Sequence, residues 1–254
     1  MRPRRSLVAP LIALGLVTVT LTGAGCGRGA DGGTPNTPEK SPFSVASSSR
    51  PPDGVAGSGS LTAHVPEATP LRATPDGKAL TTLPKKTPFG SPQVVPVLER
   101  RDGWLRVMSS ELRNGASGWI RADRARLFRV DYSIEEDLSR RQLTVRRGSR
   151  VVARTTTAIG RAEAPTPRGS FAVTDRLVID RKGSPYACCV LALSAHQPKI
   201  PQGWGGGDRV AIHATSDASS VGQAVSLGCL RVRTEVMRRL VRMVPLGTPV
   251  RVVA

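Results

Sequence analysis

Hydrophobic and polar positions alternate in short runs along the chain from residue 61, a pattern that predicts β-strands rather than long helices. Up to about residue 127 the runs are brief, and turn signals such as Pro75-Asp76-Gly77 and Asn114-Gly115 separate them. Strands are predicted there at Thr62–Val65, Gln93–Leu98, Trp104–Val107 and Gly118–Ile120.

The apolar runs lengthen after Phe128. Strands are predicted at Gln142–Val145, Val151–Thr155, Ser170–Thr174, Cys189–Leu193, Arg209–Ile212 and Thr248–Val253. A single helix is predicted after Thr234, which would cap it, because apolar residues recur on one face until Pro245 and Gly247 stop it. The fold class is therefore mostly β, with one short helix and no large parallel sheet.

Residues 26–60 precede this patterned region and differ from it in composition. Residues 27–60 contain no Ile, Leu, Met, Trp or Tyr and are rich in Gly, Pro, Ser and Thr. Such a segment buries too little apolar surface to offset its chain entropy. It is predicted to be a disordered tether.

The first 25 residues have the layout of a secretory signal peptide. Arg2-Pro3-Arg4-Arg5 is followed by an apolar run from Leu7 to Leu21 that is short for a bilayer-spanning helix, which is the competing interpretation. The ending Ala24-Gly25-Cys26 resembles a bacterial lipobox, although Gly23 stands where an aliphatic residue is usual. The chain is thus expected to be exported, with Cys26 as a lipidation site and simple cleavage as the alternative.

The formal net charge is +18, and it remains 18 − 3 = +15 without the three arginines of the predicted signal peptide. A charge of this size favours polyanionic surroundings. Nucleic acid would satisfy it, but export argues against that partner and favours a cell wall rich in carboxylates and phosphates.

Two similar tetrapeptides lie fifteen positions apart, Gly103-Trp104-Leu105-Arg106 and Gly118-Trp119-Ile120-Arg121. A pair of strands that each open with Gly-Trp suits a small barrel. Residues 61–127 accordingly resemble a bacterial SH3-like domain, a resemblance that implies binding of wall peptides or orientation of a catalytic neighbour. The simpler interpretation is that both tryptophans are only core residues.

The stretch from His213 to Arg231 carries the candidate chemistry. A cysteine attacks a carbonyl only as the thiolate, and histidine is the side chain suited to take its proton near neutral pH. His213 ends one predicted strand and Cys229 begins the next after a loop of 15 residues, 228 − 214 + 1, so pairing of the strands would bring them together. Gly228 would let the backbone turn so that nearby amides face an oxyanion. Arg231 is predicted to hold the thiolate or a substrate carboxylate.

Four cysteines are present, and acylation of Cys26 would leave three. An odd number in an exported protein suggests at least one free thiol. Because a disulfide between neighbours is geometrically awkward, Cys188 and Cys189 are expected to be core residues, with pairing of one of them elsewhere as the alternative.

The stretch His213-Ala214-Thr215, followed sixteen positions after His213 by Ser226-Leu227-Gly228-Cys229-Leu230-Arg231, resembles the signature of the L,D-transpeptidase (YkuD) family, His-Gly-Thr and Ser-His-Gly-Cys-Ile/Val-Arg. Upstream, Leu143-Thr144-Val145 and Pro165 to Phe171 extend the likeness over roughly residues 129–254. The resemblance implies a small SH3-like barrel followed, at 128–254, by a β-rich YkuD-type catalytic domain. Ala214 and Leu227 depart from the signature.

This resemblance implies that Cys229 becomes acylated by a peptidoglycan stem tetrapeptide, which releases D-alanine. It also implies that His213 acts as the base and that the Ala214 carbonyl orients His213. A second stem amine would complete a 3→3 crosslink, whereas water would make the enzyme an L,D-carboxypeptidase. The resemblance also implies acylation by carbapenem-type β-lactams, and neither a metal nor an organic cofactor. Substrate-binding roles are predicted for Arg231, Ser226, His196 and Tyr186, and Trp204 is a further candidate for the groove.

Rival functions differ in the order of their residues or make no use of the pair. A sortase also pairs His, Cys and Arg, but its His lies much further upstream, and an NlpC/P60-type hydrolase places Cys before His. A non-catalytic wall-binding lipoprotein stays open, with Ala214 and Leu227 in its favour.

Overall fold

The computed structural model describes residues 43–46, 58–179, 181–200 and 207–254. The predicted signal peptide, Cys26, most of the predicted tether and Trp204 lie outside the described residues. Among the residues within these ranges, one α-helix occurs and strands dominate, so the mostly-β prediction is confirmed. No helix in this described part is both long and apolar enough to cross a membrane.

Residues 60–130 form a seven-stranded sheet from short runs of alternating apolar and polar residues that are separated by turns. Its strands are β2 (Ser60–His64), β3 (Thr69–Arg72), β4 (Ala79–Leu83), β5 (Val94–Arg101), β6 (Trp104–Val107), β7 (Gly118–Arg121) and β8 (Arg126–Val130). They pair in the order β4-β3-β7-β6-β5-β2-β8 around a small apolar core that includes Leu71, Leu105 and Ile120.

Trp104 and Trp119 lie on the neighbouring strands β6 and β7 of this sheet. Both side chains are buried, as the core interpretation predicts. Each ring is covered by an arginine, with the guanidinium of Arg121 5.4 Å from the Trp104 ring and that of Arg101 5.4 Å from the Trp119 ring. The charged ends of the two arginines thereby shield the indole rings from water.

A nine-stranded sheet follows. Its strands are β9 (Tyr132–Asp137), β10 (Gln142–Arg147), β11 (Arg150–Thr156), β13 (Gly169–Ile179), β14 (Cys189–His196), β15 (Arg209–Ala214), β17 (Leu230–Val232) and β18 (Pro249–Val253), together with β1 (Phe43–Val45). The order is β11-β10-β9-β18-β13-β14-β15-β17, and β1 pairs with β13. Most neighbours are antiparallel, but β18 runs parallel to β9 and β15 runs parallel to β17. A separate parallel pair joins β12 (Ile159–Gly160) to β16 (Ala224–Ser226).

The helix α1 (Thr234–Met243) lies where the apolar period predicts it and packs against β14 and β15. Met237, Leu240 and Val241 form its buried face. Thr234 does not cap it. The N-cap is Arg233, which makes no side-chain capping bond, and the Thr234 hydroxyl instead donates to the carbonyl of Thr215, 3.3 Å away. The helix start is thus tied to the loop that follows β15.

The strand β1 lies inside the segment predicted to be a disordered tether, so that prediction is wrong for residues 43–45. Phe43, Ser44 and Val45 pair with Ile179, Val178 and Leu177 of β13. Two alternating apolar side chains suffice here because the exposed edge of β13 already offers backbone partners, which lowers the entropy cost of forming a strand.

Candidate active site

A cavity of about 320 Å³ opens at the ends of β15 and β17, a size within the range of small-ligand pockets. It contains the two residues predicted to be the nucleophile and the base, Cys229 and His213, as well as three predicted substrate-binding residues. Its lining consists of Pro185, Tyr186, Ile200, His213, Thr215, Ser216, Asp217, Ser226, Leu227, Cys229 and Arg231.

Parallel pairing of β15 and β17 brings the base and the nucleophile into this cavity. Ile212 pairs with Leu230, and His213 pairs with Arg231. Cys229 immediately precedes β17, so this register places it beside Ala211, two residues before His213 on β15. The prediction that the two strands pair is confirmed, and the long intervening loop is the crossover that a parallel pair needs.

His213 is 4% exposed, and its ring Nδ1 lies 2.7 Å from the carbonyl oxygen of Ala214. Because a carbonyl only accepts hydrogen bonds, Nδ1 must carry the proton and donate it, and Nε2 is the basic nitrogen. Burial lowers the pKa of His213 to about 4, against an opposing contribution from the Ala214 hydrogen bond and with a smaller lowering by the Arg231 charge. The imidazole is therefore neutral at pH 7 and able to accept a proton.

Cys229 is the single free thiol among the described residues. Burial raises the pKa of Cys229 to about 11, although a backbone hydrogen bond with Ala211 and the charge of Arg231 both lower it. Near neutral pH the resting pair is thus an uncharged thiol beside an uncharged imidazole. Such a pair reacts by general-base catalysis, in which the proton leaves sulfur as the new bond forms.

The loop before Cys229 is held by Ser226 and depends on Gly228. The Ser226 hydroxyl donates to the Cys229 carbonyl oxygen at 2.6 Å and accepts from the Gly228 N–H at 3.0 Å. Gly228 has φ of 116°, and a Cβ at this position would lie 2.9 Å from Cγ of Gln197. The sharp backbone turn predicted for Gly228 is thus present, but its own amide is occupied and does not face an oxyanion.

Arg231 lies at the wall of the cavity with its side chain half-buried. Its backbone is fixed by two hydrogen bonds with Ala158, at 2.9 and 3.0 Å. Within the described part of the chain, no carboxylate lies within 4 Å of its guanidinium. The positive charge of Arg231 lowers the pKa of Cys229 and of Asp217, so Arg231 favours the ionised form of both side chains in the cavity.

Tyr186 covers the base. Its ring centroid lies 4.8 Å from that of His213, at an interplanar angle of 72°, which is an edge-to-face contact. Burial and, to a smaller extent, the charge of Cys229 raise the pKa of Tyr186 to about 12, and the charge of Arg231 opposes the shift. Tyr186 is therefore a neutral hydroxyl at the cavity, in the region predicted for it.

His196 lies elsewhere, at the end of β14, and does not line the cavity. Its Nδ1 is 2.7 Å from an Asp208 carboxylate oxygen and its Nε2 is 2.8 Å from the Ser110 carbonyl. Its backbone N–H and C=O both bond the Asn114 side chain, each at 2.8 Å. Substrate binding by His196 stays a prediction, but the structure places His196 outside this cavity, with both ring nitrogens bound to protein groups that join the two sheets.

Sequence reasoning missed the loop after His213. Thr215, Ser216 and Asp217 line the cavity, and Asp217 accepts hydrogen bonds from the Ser219 amide and hydroxyl, at 3.0 and 2.5 Å. The hydrogen bond from the Ser219 side chain is the main cause that lowers the pKa of Asp217. An acidic residue two positions before a serine is an ordinary sign of a turn capped by a side chain, so the sequence did contain a signal for this loop.

Cys188 and Cys189 are joined by a disulfide, contrary to the expectation that they are separate core residues. The bond lies at the turn into β14, and Ala187 just before it has φ of 48°. The turn brings the two sulfurs together where an extended strand would point them to opposite faces. The disulfide leaves Cys229 as the free thiol of the described region.

Comparison with known proteins agrees with this geometry. The family model of the L,D-transpeptidase catalytic domain, YkuD, matches residues 131–252. The YkuD proteins of Bacillus licheniformis and Bacillus subtilis are 33% identical over 121 residues and 30% identical over 123 residues; each match covers 48% of this chain. The chain spans 65% and 66% of the length of these two relatives.

A solved L,D-transpeptidase from Mycobacterium smegmatis is 19% identical, with a TM-score of 0.41, and the match covers 63% of this chain and 90% of that one. Residues 131–252, which hold both Cys229 and His213, are thus the part of the chain that is similar to the L,D-transpeptidase catalytic domain (YkuD) family.

Proposed function

We propose that the chain is a peptidoglycan L,D-transpeptidase that forms 3→3 crosslinks through an acyl-enzyme on Cys229. The observation that carries the proposal is the shared cavity of Cys229 and His213, in which Nδ1 of His213 is fixed on the Ala214 carbonyl and Nε2 is left basic. Acyl transfer by a thiol needs this arrangement of nucleophile, base and orienting group.

In the first half-reaction, the Cys229 sulfur attacks the carbonyl on the L-centre of the diamino acid in a stem tetrapeptide. The thiol proton passes to Nε2 of His213 as the carbon–sulfur bond forms. The C–N bond to the terminal D-alanine then breaks, and its nitrogen takes the proton from His213. A thioester on Cys229 and free D-alanine result.

In the second half-reaction, the side-chain amine of another stem attacks the thioester. His213 takes a proton from that amine and returns it to the departing sulfur, so the enzyme is regenerated and a crosslink is formed. If water replaces the amine, the same steps make the chain an L,D-carboxypeptidase.

Recognition of the donor is assigned to Arg231 and Tyr186. Tetrapeptide stems carry carboxylates, and Arg231 supplies a positive charge at the cavity wall, where no carboxylate of the described region lies within 4 Å of its guanidinium. Guanidinium groups bind carboxylates through paired hydrogen bonds. The neutral Tyr186 hydroxyl is suited to bond a peptide group of the same stem.

The test of the proposal is acylation by a carbapenem followed by intact mass. A β-lactam carbonyl presents the same target as the stem carbonyl, so the full chain should gain one adduct mass. Cys229→Ser should lose acylation by roughly 10³-fold or more, and Cys26→Ala should retain it as the matched cysteine control. An adduct that persists in Cys229→Ser would overturn the assignment of the nucleophile.

The choice of acceptor needs a second experiment. The chain is incubated with a defined tetrapeptide, with and without an amine acceptor, and the products are separated by mass. A dimer with loss of one D-alanine supports transpeptidation, whereas a tripeptide alone supports the carboxypeptidase. Unchanged tetrapeptide in both arms, together with no carbapenem adduct, would support the non-catalytic wall-binding lipoprotein.

We further propose that the chain is an exported lipoprotein held at the outer face of the cytoplasmic membrane through Cys26. The support is the signal-like sequence of residues 1–25, the small residues before Cys26, and the net charge of +18. Detergent partitioning should be lost in Cys26→Ala, and an unchanged partition would refute the anchor. The seven-stranded sheet is proposed to be the SH3-like domain that orients the catalytic part toward the wall.

A further inference from the structure

Three segments that are distant in the sequence meet behind the wall of the cavity. Leu177, Ile179, Val190 and Ala211 form a buried apolar cluster beneath the site, and Phe43, Val45, Phe89, Tyr186 and Cys229 pack against it. Phe43 comes from strand β1, Phe89 from the loop between β4 and β5, and Tyr186 from the turn before β14. The three aromatic side chains and Cys229 therefore pack against the same cluster.

These rings form a chain of contacts that ends on the base. The Phe43 ring centroid lies 5.8 Å from that of Phe89, nearly perpendicular to it, and 6.1 Å from that of Tyr186. Tyr186 then contacts His213 at 4.8 Å. Aromatic pairs at these separations attract one another, and a partner on the outer side of Tyr186 restricts the positions that its ring can take.

The backbone of β1 holds Phe43 at this place. Phe43 to Val45 pair with Ile179 to Leu177, and the Ala46 N–H donates to the Arg176 carbonyl at 2.8 Å. Val45 lies on the same face as Phe43, while Ser44 points to the other face, as alternation along a strand requires. Ser44 therefore offers a control position with the same backbone pairing and no place in the aromatic chain.

We propose that Phe43 is a positioning residue, which sets the Tyr186 ring against His213 and makes strand β1 part of the catalytic unit. The inference deepens the function proposed above and rests on it for its biological meaning. Phe43 touches neither reacting atom in this arrangement. It acts through Tyr186, and the segment that leads from the predicted anchor thereby becomes coupled to the site.

The consequence expected at the thiol follows from burial. Tyr186 helps to keep water from the cavity, and burial is the main cause that raises the pKa of Cys229. The charged and titratable groups around the sulfur are His213 on β15, Arg231 on β17, Asp217 on the intervening loop and Tyr186 itself. When Phe43 is truncated, these groups stay, but Tyr186 loses a supporting ring and the thiol becomes better solvated.

The test measures iodoacetamide modification of Cys229 against pH in the full-length chain, with the site identified by peptide mass. Phe43→Ala is expected to lower the apparent pKa of Cys229. The rate of alkylation at pH 8 should therefore rise by roughly two- to tenfold, the range of one aromatic contact. Phe43→Leu should restore part of the wild-type profile. Ser44→Ala should match the wild type throughout.

A double-mutant cycle separates positioning through Tyr186 from a general loss of stability. In a Tyr186→Ala background, Phe43→Ala should have no further effect on the profile. Full additivity of the two substitutions, or a Phe43→Ala profile equal to that of Ser44→Ala, would overturn the inference. If Phe43→Ala proves too unstable to measure, Phe43→Leu alone and combined with Tyr186→Ala supplies the same comparison.

Failure of the proposed function would look different. Iodoacetamide alkylates any accessible thiol, so the coupling of Phe43 to Tyr186 can be measured in a protein that does not react with carbapenems. A wild-type chain that shows the cycle but gains no carbapenem adduct would refute the proposed function and leave the positioning role of Phe43 intact.

Discussion

The ring of His213 is oriented by the carbonyl of its own neighbour, Ala214, at 2.7 Å. The bond joins adjacent residues of β15 and needs no third side chain. It uses a backbone atom, so a residue with a Cβ at position 214 still supplies it. The departure of Ala214 from the glycine of the family signature therefore leaves the orientation of the base in place, which weakens the argument for a decayed, non-catalytic domain.

The first prediction concerns the pH dependence of the thiol. Because the pKa of Cys229 is raised to about 11 and that of His213 is lowered to about 4, neither group titrates between pH 5 and 8. Alkylation of Cys229 by iodoacetamide should rise steadily with pH above 8 and show no plateau near neutrality. A rate measured by peptide mass from pH 5 to 10 checks this.

A stable thiolate–imidazolium pair would give the opposite profile, with rapid alkylation already at pH 6 that changes little up to pH 8. His213→Gln is the matched variant, since it keeps a hydrogen-bonding side chain and removes the titrating base. In that variant, alkylation above pH 9 should persist while acylation by a carbapenem at pH 7 should be lost.

The second prediction tests the turn at Gly228. Ala at this position must adopt a φ of 116° and bring its Cβ to within 2.9 Å of Gln197 Cγ. Gly228→Ala should cost about 1–3 kcal/mol in strain and displace Cys229, so that the carbapenem adduct is lost. Gly148→Ala is the control, because Gly148 also has a positive φ but has open space around it. It should lower the melting temperature a little and leave acylation unchanged.

The third prediction separates the two roles proposed for Arg231. Its charge lowers the pKa of Cys229, so Arg231→Met should raise that pKa and slow alkylation at pH 9. Arg231→Lys should keep the alkylation rate near the wild-type value but should bind a tetrapeptide carboxylate less well, because a lysine cannot form the paired hydrogen bonds. Equal tetrapeptide turnover by Arg231→Lys and the wild type would contradict the carboxylate role.

Much of the strand pattern follows from local sequence. The predicted strands around Trp104, Trp119 and Gln142, and the helix at Thr234, agree with the structure because alternating or periodic apolar residues decide those elements locally. The Cys229–His213 pair was predictable for a different reason. Its residue types, order and spacing are chemical requirements that appear in the sequence itself.

The features that were missed depend on contacts between distant parts of the chain. Strand β1 forms only because the edge of β13 is open beside Phe43. The interactions of His196 are decided by Ser110 and Asn114, more than 80 positions away. The Cys188–Cys189 disulfide depends on a turn conformation that no periodicity records. None of these partners can be inferred from the residues next to them.

The fourth prediction follows from the contacts of His196. Since the ring joins Asp208 to the Ser110 carbonyl, His196→Ala should lower the free energy of unfolding by about 1–3 kcal/mol through the loss of both bonds. Asn114→Ala should lower the free energy of unfolding by a similar amount. The two losses should be less than additive, because Asn114 and His196 bond each other. Urea denaturation measures the losses.

Substrate binding by His196 would give a different result. In that case His196→Ala would raise the KM for a tetrapeptide while leaving the urea midpoint unchanged, whereas the structural role lowers the midpoint and leaves the alkylation profile of Cys229 intact. Asn114→Ala is the informative comparison, because it touches only the His196 backbone and has no ring to offer a ligand.

The fifth prediction concerns Glu136, a buried carboxyl group on β9. Its Oε1 accepts from the Thr157 hydroxyl at 2.5 Å, and its Oε2 has no hydrogen-bond partner among the described residues. Burial raises the pKa of Glu136 to about 7, opposed by Thr157 and aided by Asp137. Because the unfolded carboxyl titrates near 4.5, the folded state binds a proton more tightly, and stability should fall as the pH rises from about 4.5 to 7.

Glu136→Gln should remove this dependence, since an amide of the same shape carries no charge at any pH. At pH 8 the variant should be more stable than the wild type by about 2–3 kcal/mol, the order expected for a shift of this size, and at pH 4 the two should be equal. Glu135→Gln is the control, because Glu135 is the exposed neighbour on the same strand. If the urea midpoints of Glu136→Gln and the wild type stay parallel from pH 4 to 8, the prediction is wrong. Glu136 would then be ionised in the folded protein at neutral pH, and its pKa would not be raised.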